Sequence, residues 1–111
     1  MHDFSVWISA EHWAPGQWQP ENEAVDVQVT LPDQTRWVAT FCSYKFVDTL
    51  RAKYAADGQS LGGRYVWIAD MVLVEDTSRA TIESVVHNLL NTGDFRSAFD
   101  ECPPSIDERA V

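Results

Sequence analysis

Residues 24–43, AVDVQVTLPDQTRWVATFCS, constrain this chain more than any other stretch. Val25, Val27, Val29 and Leu31 alternate with Asp26, Gln28 and Thr30. A strand turns successive side chains to opposite faces, so this alternation specifies a sheet with one buried and one wetter face. RWVATFCS (36–43) alternates again and is rich in aromatic and β-branched residues. Only PDQT (32–35) joins the two runs, with proline and aspartate in turn positions, so they pair as an antiparallel hairpin.

The rest of the chain supplies partners for that hairpin. FSVWIS (4–9) sets Phe4, Val6 and Ile8 against Ser5, Trp7 and Ser9 and reads as a strand. In YKFVDTLRAKYAADG (44–58) the period becomes helical: Phe46, Val47, Leu50 and Tyr54 recur on one side, and Gly58 suits a C-terminal stop. QSLGGR (59–64) reads as a loop. YVWIADMVLVED (65–76) is the most apolar stretch, too short for a bilayer, and its near-continuous hydrophobicity predicts a central strand buried on both faces. RATIESVVHNLLNTGD (79–94) is an amphipathic helix with Ile82, Val85, Val86, Leu89 and Leu90 inward, Thr77 or Ser78 as N-cap and Gly93 at the C-terminal stop. DFRSAFDEC (94–102) adds a helical turn or two that docks Phe95, Ala98 and Phe99 before Pro103 and Pro104.

The predicted order is β-β-β-α-β-α-α. Strands grouped early and helices later make this an α+β fold, a four-stranded mostly antiparallel sheet with two to three helices packed on one face. Residues 1–102 form a single domain and 103–111 a loose C-terminal tail. At 111 residues, 45% of them hydrophobic and five of them Trp, the chain is long and apolar enough for a core that needs no metal or disulfide. Cys42 and Cys102, in a chain that opens without a secretory signal pattern, are expected to stay reduced. The expected location is cytoplasmic.

Charge is unevenly spread. Residues 1–34 carry six acids and no Lys or Arg, residues 35–69 sum to +3, and residues 70–111 to −6, for a net charge of −9. Such a chain is repelled by nucleic acid and anionic membranes and attracted to a basic partner.

Catalytic motifs do not emerge. His2, His12 and His87 show no metal-ligand spacing with one another or with the cysteines, so no metal and no cofactor is expected. SLGGR follows a helix and precedes a strand, the wrong order for a phosphate cradle. Asp70 stands out because its neighbours in WIADMVLV are apolar or small, and a buried acid must be paired, hydrogen-bonded or protonated. The structural reading, a buried acid satisfied by Arg64, a hydroxyl or main-chain amides, outweighs the catalytic one.

EHWAPGQWQPENE (11–23) places Trp13 and Trp18 among three acids, Glu11, Glu21 and Glu23, with no Lys or Arg. Indoles in such a loop cover a sheet edge or anchor a partner, and the acids beside them steer basic surfaces. Covering is the better reading for at least one Trp, and partner contact remains open for the other.

DVQVTLPDQTRWVATF (26–41), GGRYVWIADMVLVED (62–76) and NLLNTGDF (88–95) together resemble a group of small, acidic, uncharacterised bacterial proteins. These are similar in kind to the cytoplasmic immunity proteins of polymorphic and contact-dependent toxin systems. The resemblance covers residues 24–99; the Trp loop and the segment after Cys102 depart from it, and PDQT lacks the Asp-Gly of that pattern. It implies a fold and a function without catalysis: an immunity protein that occludes a cognate toxin, a protein partner with a basic surface. The candidate contacts are Glu11, Trp13, Trp18, Glu21 and Glu23 in the first loop, with Asp100 and Glu101 near the C-terminus. The alternative is a small enzyme or ligand-binding domain with a pocket near Asp70 and Arg64.

Overall fold

The structure is a computed structural model and describes residues 4–103. Most of the expected tail, 104–111, and His2 therefore lie outside the described residues. The fold is α+β. Strands β1 (Ser5–Ile8), β2 (Ala24–Thr30), β3 (Arg36–Ser43) and β4 (Met71–Val74) lie side by side in that order, and a two-residue β5 (Asp100–Glu101) adds to β3. β1, β2 and β3 pair antiparallel, with Val6 opposite Val29, Ile8 opposite Val27, Val27 opposite Ala39 and Val25 opposite Phe41. That register gathers the alternate apolar residues of the hairpin on one face, as its period of two requires.

Helix α3 (Arg79–Thr92) and the short α4 (Phe95–Ala98) close that face. Ile82, Val86, Phe95 and Phe99 are buried against Ile8, Val25, Val27, Val29, Trp37, Ala39 and Phe41. An aromatic cluster fills the lower half of the core. Phe95 stacks on Phe99 with ring centres 4.5 Å apart and meets Trp37 edge-on at 5.6 Å, and Phe99 meets Phe41 edge-on at 5.8 Å. Arg96 lies over the outer side of the Trp37 ring at 5.0 Å.

β4 corrects an expectation. The apolar run 65–76 yields only a four-residue strand, and that strand is the last of the sheet, parallel to β3, with Thr40 opposite Met71 and Ser43 opposite Val74. The residues before it form turns and open chain in which Tyr65 and Trp67 are exposed, Trp67 by 78%. Apolar composition cannot tell a strand buried on both faces from a surface crossover that exposes aromatics. Asp70 is corrected with it: it is exposed, not buried. It holds a left-handed backbone (φ 52°) where the chain enters β4, and its carbonyl accepts a 2.9 Å hydrogen bond from the Thr40 amide. Aspartate tolerates that conformation better than most side chains, which gives it a backbone role.

Helix α1 (Tyr44–Asp57) and its return α2 (Gln59–Gly63) connect β3 to β4. No residue of α1 is buried, and none belongs to the core or packs on it. α1 packs instead on α2, where a Cβ on Gly63 would come within 2.5 Å of the Arg51 carbonyl oxygen. The return is tight because Ser60, Leu61 and Gly62 are all left-handed. Of the helices, α3 and α4 cover the sheet, while α1 and α2 form an arm beside it.

Candidate functional site

The Trp loop leaves β1 through a 3-10 turn, Ser9–His12, that presents Glu11 to the start of α3. Arg79 grips Glu11 with two parallel bonds, Nε to Oε2 and Nη2 to Oε1, each 2.7 Å. The same guanidinium donates to Glu83 at 2.7 Å and to the Val6 carbonyl of β1 at 2.9 Å. The Arg79 hydrogen bond holds the Glu11 carboxyl below its ordinary pKa, and the two carboxylates, Glu11 foremost, raise that of Arg79. Further along, the Trp18 indole N–H donates to the Thr77 hydroxyl at 3.1 Å, and Thr77 donates its hydroxyl and its amide to the Pro20 carbonyl at 3.0 and 2.7 Å. The segment is therefore clamped onto the start of α3 at both ends.

This geometry divides the expected contacts. Trp18 is half-buried against the core and serves as a cover, while Trp13 is exposed on a shallow hollow shared with Glu11, Pro15 and Trp18. Glu11 is committed to Arg79. Glu21 is exposed, and Glu23 is half-buried where its amide donates to Ser43 Oγ at 3.2 Å. Asp100 and Glu101 are exposed on β5, which pairs with Trp37 and Val38 near the start of β3. Glu23 meets the other end of that strand, roughly 20 Å away at the usual rise per residue. The structure does not bring the two acidic groups together.

A groove of about 490 Å³, not anticipated from the sequence, lies between α3 and the end of β4. Tyr44, Leu73 and Glu75 form one wall; Ser84, Val85 and Leu89 of α3 form the other. Tyr44 and Leu73 are exposed large hydrophobic side chains there. A signal was present in α3, where Ala80, Ser84 and Asn88 recur every four residues and keep that stripe low beside Val85 and Leu89. The groove offers one carboxylate, one phenol and walls that mix Leu73, Val74, Val85 and Leu89 with Thr81, Ser84 and Asn88, a setting for binding without a nucleophile and base in partnership. Glu75 lines the groove, and Asp76 follows it in the chain. The Ser78 hydroxyl and amide both donate to Asp76, which lowers its pKa and holds it as a carboxylate.

Asp70 and Arg64 are both exposed, and neither lines this groove, the Trp-loop hollow, or the smaller depressions on α3 and beside β5. Cys42 is buried, and burial pushes its thiol up to about 11, which suits a packed side chain and not a nucleophile. Both cysteines are free. Among the described residues no cluster of three or more His, Cys, Asp or Glu is placed to hold a metal ion, and no helix is long and apolar enough to cross a membrane. No family model, curated protein or solved structure matches this chain.

Proposed function

We propose that this chain is a non-catalytic immunity protein that binds a basic surface of a cognate toxin in the cytoplasm and blocks it. The observation that carries this reading is the groove between α3 and β4, a slot of mixed polar and apolar lining that includes Tyr44 and Glu75, on a protein of net charge −9. Arg79, the basic residue closest in sequence on α3, is answered by both Glu11 and Glu83, so that trio contributes −1 to the surface. Trp13 and Glu21, across the start of α3, are the secondary contacts. The sequence resemblance points the same way, and such a mechanism needs shape, acids and a few apolar anchors in place of chemistry.

The test is co-expression with the product of the adjacent gene. Relief of that product's toxicity by the wild-type chain, lost with Ser84→Trp, supports the reading. Ser84 is exposed, so a bulky residue there fills the groove without entering the core. Toxicity unrelieved by the wild type, or a Ser84→Trp chain that protects equally well, overturns it. The alternative pocket near Asp70 and Arg64 is the less favoured reading, because both residues are exposed and neither lines any of the four hollows described above.

A further inference from the structure

The two outer strands of the sheet are treated differently. Exposed strand edges present unpaired amides and carbonyls, and proteins blunt them with charge, proline, bulges or covering side chains. β1 is guarded: Arg79 occupies the Val6 carbonyl, and the 3-10 turn and Trp loop follow directly. β4, MVLV, contains no charge and no proline. Because the Asp70 carbonyl bonds the Thr40 amide, the period of two turns the main-chain groups of Asp70, Val72 and Val74 toward β3 and those of Met71 and Leu73 outward. Among the described residues no hydrogen bond reaches that outward side. The groove lies beside the end of this edge, with Leu73 in its wall.

We infer that β4 is the docking edge for an extended segment of the partner, which joins the sheet as an added strand with apolar side chains at alternate positions and Lys or Arg at its ends. This deepens the proposed function and rests on it. The charge requirement comes from Asp70 and Glu75, which bracket MVLV with an acid at each end, roughly 17 Å apart in an extended chain. They also argue against a second copy of this chain. Pairing β4 with β4 would crowd two Asp70 and two Glu75 carboxylates along one seam between molecules of net charge −9 each. A basic strand meets attraction at both ends, main-chain partners in the middle and a groove beside Leu73 for side chains, the combination that drives recognition by strand addition.

The experiment uses the full chain and the synthetic peptide Lys-Lys-Val-Thr-Val-Thr-Val-Lys-Lys. Amide hydrogen exchange is read residue by residue by NMR. The expected result is slowing of exchange at Met71 and Leu73 by tenfold or more at saturating peptide. Doubling the salt should weaken it, N-methylation of alternate peptide amides should abolish it, and Leu73→Lys, a guard on an already exposed position, should weaken binding about tenfold. Unchanged exchange at both amides with millimolar peptide overturns the inference. So does protection of both amides in the free chain accompanied by a dimer in sedimentation, since that makes a second copy the occupant. Repeating the measurement on the toxin complex separates the two proposals. Toxicity relieved while Met71 and Leu73 stay unprotected defeats the added strand and spares the immunity reading; peptide protection without relief of any adjacent-gene toxicity does the reverse.

Discussion

Helices α1 and α3 form a nearly matched pair. Each has fourteen residues. Each begins on a serine whose hydroxyl accepts a main-chain amide three residues on, Ser43 from Phe46 and Ser78 from Thr81. Each ends on a left-handed glycine, Gly58 and Gly93, both at φ 85°. Yet α3 buries Ile82 and Val86 in the core, and α1 buries nothing. Local capping chemistry sets where a helix starts and stops, whereas the breadth of its apolar stripe and the face available to it decide whether it carries the fold. The stripe of α3 runs through Ile82, Val85, Val86, Leu89 and Leu90, while on α1 Phe46, Val47, Leu50 and Tyr54 are only half-buried and lie off the core. The two helices therefore divide the labour: one is scaffold, the other an arm.

The largest test of that division truncates an apolar residue on each helix. Ile82→Ala removes a fully buried side chain facing the sheet and is expected to cost about 3 kcal/mol. Leu50→Ala on α1 is expected to cost below about 1 kcal/mol, because the residue is half-exposed and outside the core. Urea unfolding of both variants measures the contrast. Equal losses would mean that α1 is as much a part of the cooperative unit as α3.

A second test sits where the arm leaves the sheet. Cys42 is buried one residue before the cap of α1, and its thiol is raised to about 11. The folded state therefore favours the protonated form. Its contribution is whole below the ordinary thiol value near 9 and is lost as pH rises from there through about 11. A two-unit shift corresponds to roughly 3 kcal/mol over that window. Stability of the wild type should consequently fall more steeply than that of Cys42→Ala between pH 9 and 11, as followed by urea midpoints. Parallel curves would show that Cys42 titrates alike in both states.

These contrasts also mark what could be read before the fold was seen. The hairpin was legible because burial on one face imposes a period of two, and β3 begins at Arg36 and ends at Ser43 as the alternation indicates. Both long helices were legible through their caps, with Ser78 and Gly93 in the expected places. The placement of β4 was not. Its run is apolar because an exposed crossover carries Tyr65 and Trp67 ahead of a four-residue edge strand, and single-sequence hydrophobicity gives both settings the same look. Trp18 was legible as a cover in kind, but its bond to Thr77 spans 59 positions that local pattern does not connect. Only the α3 wall of the groove left a local signal, because Tyr44 and Leu73 meet α3 only once the sheet order is known.

Arg79 ties the Trp loop to the scaffold helix, and among the described residues α1 shows no counterpart of comparable reach. Arg79→Met should cost about 1 kcal/mol, less than a buried bidentate pair would, since the three charged side chains each keep about a third of their surface in water. Added salt should shrink the loss. The acid limb carries the same signature. Glu11 is lowered in the fold, so its contribution is present above the ordinary carboxylate value and fades as pH falls through the lowered one. The difference between wild type and variant should narrow at that end. A difference that is flat in both salt and pH would mean that Arg79 acts through its aliphatic stem alone.

The smallest effect is the most discriminating, because the same substitution can be made at the end of each helix. Gly58 and Gly93 have left-handed backbones, and a Cβ on either would meet no atom within 4 Å. Alanine at each position therefore carries only the strain of the backbone conformation, about 1 kcal/mol. At Gly93 that strain falls on the element that packs the core, so the whole loss should appear in global unfolding. At Gly58 it falls on an arm whose last turn can open while the sheet and α3 stay folded. Global stability should then change by less than about 0.5 kcal/mol, with exchange of the Gly58 amide, which bonds the Tyr54 carbonyl at 2.8 Å, speeding up instead. Equal global losses from the two alanines would join arm and scaffold into one cooperative unit and would leave α1 no freedom to adjust to the strand proposed to add at β4.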